Sequence, residues 1–240
     1  MNHLQPPLSN KQPAAAPARG GMRHGQGRLR RVLIAAALLS AVADAAAAYT
    51  ATLTAASPTT IYLQVGVGGF TADYVNGGSP QKNATVNTVS VTLPTTVVGN
   101  GTAQAMTTNS TAANSYWDGY LFCTVPAQLY IGGFYRTSGA TTTAAQVTAT
   151  VPAALTNASG NTLPFSTIQW TSSGNGDTSA NGFLPEVFPA GTFVNGGVQT
   201  VGSMASNTWN ESCWTFSYSN RTVPAAGTYT GAVLYTMTAP

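Results

Sequence analysis

Four carboxylates, Asp118, Asp177, Glu186 and Glu211, are the side chains best able to do chemistry in this chain. Two of them flanking a glycosidic bond would supply the acid and the base or nucleophile of a glycosidase. Their spacing brings no two of them together, and they sit in Asp, Asn, Gly and Ser contexts typical of turns. The other parts of a proton-transfer apparatus are missing. His3 and His24 are the only histidines, and both precede Ala48. Downstream of Ala48 a Ser-His-Asp triad is therefore impossible, and Ser-Lys chemistry would have to use Lys82, a loop residue. The stretch Thr171–Ser179 has the composition of a calcium loop but lacks the regular oxygen ligands and the terminal Glu. The expectation is a protein that is not an enzyme, with no cofactor and no metal site.

Two cysteines remain, Cys123 and Cys213. In an exported chain an even count reads as one disulfide, here closing a loop of about 90 residues. Two buried free thiols are the alternative. The aromatic-rich run Asn114–Tyr120 offers Tyr116, Trp117 and Tyr120 as candidate glycan contacts, and the competing reading places these rings in packing. Trp214, beside Cys213, is expected to pack against the disulfide. Asn-x-Ser/Thr sequences occur at Asn83, Asn100, Asn109, Asn157, Asn210 and Asn220, and matter only if the source glycosylates exported proteins.

The N-terminal segment assigns the compartment. Lys11, Arg19, Arg23, Arg28, Arg30 and Arg31 precede an apolar run, Val32–Ala43, and a small-residue stretch ending at Ala48. That order is the order of a secretory signal, with cleavage fitting after Ala45 or Ala48, the latter preferred, and a true start at either Met1 or Met22. The run is shorter than the about 20 apolar residues a membrane-spanning helix needs. An uncleaved anchor is the competing reading. Removing 1–48 leaves three basic and five acidic residues, a net charge of −2, so the basic character of the whole chain belongs to the leader. A nucleic-acid partner, which needs a clustered basic surface, loses its basis. No stable membrane insertion is expected after cleavage.

The elements that must position these residues are strands. Thr and Val are frequent, and Gly, Asn and Pro recur at short intervals, the punctuation of a sandwich of short strands. Alternation predicts strands at Tyr49–Ala55, Thr60–Val67, Ala84–Leu93, Gln128–Tyr135, Ala145–Val151, Cys213–Ser219 and Gly227–Thr238. Loops are expected at Asn76–Pro80, Thr107–Asn114 and Thr171–Asn181. The last strand places Tyr229, Val233, Tyr235 and Met237 on one face and threonines on the other. The fold expected for 49–240 is an all-β, immunoglobulin-like antiparallel sandwich. A weak echo between Val89–Pro94 and Val147–Pro152 leaves open two tandem halves meeting near 137–145.

The closing sequence Ala225-Ala-Gly-Thr-Tyr-Thr-Gly-Ala-Val-Leu-Tyr-Thr-Met-Thr238, with the leader, the cysteine pair and the Thr/Gly-rich character, resembles bacterial exported subunits of the chaperone–usher pilin and spore-coat-U-like kind. The resemblance implies an incomplete sandwich whose groove is filled by a neighbour's strand. It implies a periplasmic chaperone and usher as partners, with Tyr229, Val233, Tyr235 and Met237 as contacts and Tyr49–Ala55, including Leu53, as the donor. The cysteines lie farther apart than in that pattern, Ala239 stands where an aromatic is usual, and Leu53 is the donor's only large aliphatic.

The functional expectation is an exported structural or adhesive surface protein, a fimbrial or coat-type subunit assembling by strand complementation, in the periplasm, at the cell surface or outside the cell. The alternative is a monomeric glycan-binding module or adhesin.

Overall fold

Residues 60–139 and 142–240, and the backbone alone of Thr52–Thr54, are described by the computed structural model. The leader, its cleavage site and Tyr49 lie outside the described residues, as does the side chain of Leu53. In chain order the strands are β1 (Thr52–Thr54), β2 (Thr60–Val65), β3 (Val89–Ser90), β4 (Gln104–Ala105), β5 (Thr107–Thr108), β6 (Leu129–Arg136), β7 (Ala145–Val151) and β8 (Ala154–Thr156). They continue as β9 (Thr162–Pro164), β10 (Ile168–Ser173), β11 (Phe183–Pro185), β12 (Gly191–Thr192), β13 (Gly197–Met204), β14 (Thr208–Tyr218) and β15 (Leu234–Thr238). The chain is all-β, as composition requires, and among the described residues a single short 3-10 turn, Phe165–Thr167, is helical. No helix among them is long and apolar enough to cross a membrane.

Two sheets build the sandwich-like core. Sheet I has the order β1-β15-β7-β13 and sheet II the order β12-β10-β14-β6-β2. Strand β14 is the spine of sheet II. It pairs with β6 along its first half and β4 near its end on one side, and with β11 and then β10 on the other. Each sheet contains strands from both sides of 137–145, and the described residues belong to one compact unit, Asp44–Pro240.

Period-2 alternation fills the space between the sheets. In β7, Ala145, Val147, Ala149 and Val151 point inward and the residues between them outward. Facing them are Leu129 and Ile131 of β6 and Trp214, Phe216 and Tyr218 of β14. Trp214 therefore does not pack against the disulfide as expected. Its neighbour Cys213 faces the opposite side of the sheet, while Trp214 meets Trp170 at 5.0 Å between ring centroids.

The predicted strand Ala145–Val151 is found with the same limits. Two predicted strands are much shorter: only Val89–Ser90 is a strand within Ala84–Leu93, and only Leu234–Thr238 within Gly227–Thr238, where Thr230 adds an isolated bridge to Thr156. Strands β10 and β13 were not foreseen, and β10 runs into the loop expected at Thr171–Asn181.

Candidate functional site

The outer face of β14 carries the polar chemistry of the fold. Sending Trp214, Phe216 and Tyr218 inward turns Trp209, Glu211 and Cys213 outward. The long excursion between β2 and β6 lies over that face. It is fixed by the Cys123–Cys213 disulfide, with the two Cα atoms 5.5 Å apart. It is also fixed by an aromatic cluster in which Phe70, Tyr74, Tyr116 and Trp117 pack on Tyr62, Phe134, Phe183 and Trp209. Arg136 caps this cluster: its guanidinium lies over the Tyr74 ring, 5.1 Å from the centroid, and donates to the Tyr74 hydroxyl.

Beneath this layer sits Glu211, fully buried. Its Oε1 accepts the Ser115 hydroxyl at 2.6 Å, and its Oε2 accepts the Tyr130 hydroxyl at 2.5 Å and the Trp209 indole N–H at 2.7 Å. Ser115 Oγ accepts the Trp117 backbone N–H at 3.0 Å. The carboxyl thereby ties the covering segment to the sheet. Burial pushes its pKa above the ordinary carboxylate range, the three donors pull it back, and Asp118 pushes it up again. Tyr130 is raised by burial and by facing Glu211. Gly132 makes the room, because a Cβ there would lie 2.5 Å from Tyr130 Oη and 2.8 Å from Glu211 Cβ.

This environment corrects the turn expected around Glu211, which lies mid-strand in β14. The topology also gathers acids that sequence spacing leaves apart. Asp177 is pushed up by burial and by Asp118, and the Glu186 backbone N–H donates to the Glu211 carbonyl at 2.8 Å. Glu211 is shut beneath the covering segment, with none of its surface exposed to solvent.

The three candidate glycan contacts separate. Trp117 is half-buried and stacks with Tyr74 at 5.3 Å and Phe183 at 5.8 Å, which engages its ring faces. Tyr116 packs against Phe70 and Tyr130. Tyr116 and Trp117 are half-buried, while Tyr120 is 77% exposed beside the equally exposed Leu121. Between segments 70–73 and 111–119 runs an open groove of about 410 Å³, lined by Phe70, Asp73, Asn114, Tyr116 and Gly119 among others. Sequence reading missed Asp73 and the groove, since only folding brings the two segments together.

At the other end of the chain, Val233, Tyr235 and Met237 are buried on one face, as the alternation predicts. Tyr229 departs from that face. It precedes β15, is half-buried, and donates its hydroxyl to the Ala225 carbonyl at 2.8 Å. Leu53 lies opposite Met237 in the β1–β15 register. Three of the Asn-x-Ser/Thr asparagines, Asn157, Asn210 and Asn220, are buried and hydrogen-bonded, so their side chains serve the fold.

No family model, curated protein or solved structure matches the chain. The pilin-like resemblance thus rests on the chain's own residues.

Proposed function

We propose that this chain is an exported structural or adhesive surface protein, a fimbrial or coat-type subunit whose copies join by exchanging an N-terminal strand. One observation carries this reading. Among the described residues, the outer edge of β15 is paired over Thr236–Thr238, by the parallel strand Thr52–Thr54 from just beyond the expected cleavage site. Three register pairs add little stability by themselves. The same contact made by the equivalent segment of a second copy would join subunits without any new surface, the ordinary route of strand swapping. Val233, Tyr235 and Met237 then form the apolar floor beneath the exchanged strand, and a periplasmic chaperone would cover this edge before assembly. The intrachain pairing seen here is the closed form of that contact.

A pair of introduced thiols tests it. Thr54 and Thr238 are register partners, so Thr54→Cys with Thr238→Cys places two thiols across the β1–β15 contact. Expressed in an oxidising compartment, an exchanging subunit gives a covalent ladder on a non-reducing gel. A product that is monomeric at every concentration, with the two introduced thiols joined only within one chain by peptide mapping, would remove strand exchange from the account.

A further inference from the structure

From the groove between segments 70–73 and 111–119, we infer a binding site for a small organic cation, an alkylammonium group of the trimethylammonium type. One wall is a fixed carboxylate. Asp73 Oδ1 accepts the Asn76 backbone N–H at 2.9 Å, and both oxygens accept the Asn76 amide at 2.8 Å. These bonds hold its pKa below the ordinary range, so it stays ionised. Phe70 and Tyr116, both half-buried, also line the groove, and their ring centroids lie 6.4 Å apart at an edge-on angle. Gly119, at φ +84°, keeps the space beside the carboxylate open: a Cβ there would come within 3.4 Å of Asp73 Oδ2. Among the described residues, no basic side chain lines the groove.

A carboxylate beside aromatic rings suits a cation with an apolar skirt. The charge meets Asp73, and the methyl or methylene groups meet the negative ring faces. The fold already stacks one cation on this layer, in Arg136 over Tyr74. The surroundings favour the same sign. Asp118 adjoins Gly119, and Asp177 lies close enough to be shifted by Asp118. A neutral sugar is served less well. The Asn114 amide is already donated to the Gly119 carbonyl at 2.8 Å, and the Trp117 ring is occupied.

The site goes beyond the assembly reading and does not depend on it. The test is a titration of the whole processed chain, at matched ionic strength, followed by amide shifts of Asn114 and Gly119. The probes are choline chloride, phosphatidylcholine vesicles, and glucose as the neutral comparison. Free choline should shift these amides, Asp73→Asn should weaken binding about tenfold or more, and Asp177→Asn, outside the groove, should change it far less. Binding to vesicles with the same dependence on Asp73 assigns the headgroup as the source. The inference is overturned if neither choline arm binds, if binding survives Asp73→Asn unchanged, or if glucose binds in preference.

Discussion

Replacing Glu211 in two ways separates its charge from its hydrogen bonds. In Glu211→Gln the amide oxygen can take the Oε2 position and accept both Tyr130 and Trp209, while the amide nitrogen donates to Ser115 Oγ. Glutamine thus imitates the protonated carboxyl, with one amide N–H left over. In Glu211→Ala, Tyr130 Oη and Trp209 Nε1 lose their common acceptor inside a dry layer. A buried donor without a partner costs about 1–3 kcal/mol, so stranding both costs about 2–6 kcal/mol. That is a large share of the roughly 5–15 kcal/mol that holds a domain together.

The pH dependence gives the sign. The Glu211 pKa is raised in the folded chain, burial being the largest cause. Between the ordinary carboxylate pKa of 4.5 and the raised native value, the folded state binds more protons than the unfolded state. This group's contribution is therefore complete below the ordinary value and falls as pH rises through the native value, by about 1.36 kcal/mol for each unit of separation. Glutamine carries no such slope. Urea unfolding followed by tryptophan fluorescence, at a series of pH values with the disulfide intact, should show the Gln variant gaining on the parent as pH rises. The Ala variant should lie far below both at neutral pH. The reasoning fails if Gln keeps the parent's slope, or if Gln at neutral pH is as damaging as Ala.

Four further outcomes follow from named contacts. Trp117→Ala removes two stacked ring pairs and should cost about 2–4 kcal/mol by urea unfolding, with assembly unaffected if the ring only packs. Asn220→Ala removes an amide that accepts from Gly99 and donates to Val97, Asn100 and Thr102, at a φ of +49°. It should cost about 1–3 kcal/mol and speed amide exchange through 97–102. Replacing both Cys123 and Cys213 by Ser frees a loop with a sequence separation of 90 and should cost about 2–5 kcal/mol, read as a lowered denaturation midpoint. Choline binding should weaken as salt screens Asp73, while strand exchange at β15, whose strands bear no charge, should be nearly indifferent to salt in sedimentation measurements.

Strands with strict alternation and a proline stop were legible in the sequence. Ala145–Val151 is the clearest case, because every second residue is small and apolar and Pro152 ends the run. Strand β14 was only half legible. Cys213–Tyr218 alternates visibly, but Thr208-Trp-Asn-Glu-Ser212 does not look like a buried strand. Glu211 is fully buried there because a second layer covers the face that usually meets water, while Asn210 and Ser212, also fully buried, lie on the opposite face of the strand, where Ser212 Oγ accepts the Phe188 backbone N–H. A three-layer arrangement defeats a rule built on one wet face. The signal that could have disclosed it was the crowding of aromatics at Phe70, Tyr74, Tyr116 and Trp117 in segments with no strand pattern. The groove was illegible for a different reason. Asp73 and Asn114 are distant in sequence, and their segments become neighbours through the backbone bonds Tyr74 to Tyr116 and Val75 to Trp117 and the ring pairs Phe70–Tyr116 and Tyr74–Trp117.

The distribution of charge connects the two proposals. None of β1, β7, β13 and β15 carries a charged side chain, so the whole of sheet I is neutral. All five acids downstream of Ala48 lie on β14 or in segments that adjoin sheet II. An edge-to-edge contact through β15 would therefore bring copies together without stripping water from an ion, the term that most often opposes burial of charged surface. The acidic loop layer would stay outward and repeat once per subunit. A groove too shallow to hold a small cation tightly by itself gains most from such repetition, because a surface bearing many ammonium groups would be met by many grooves at once. Weak single sites and a neutral joining edge are thus consistent parts of one arrangement, and each can be disabled, by Asp73→Asn or by trapping β1 on its own β15, without touching the other.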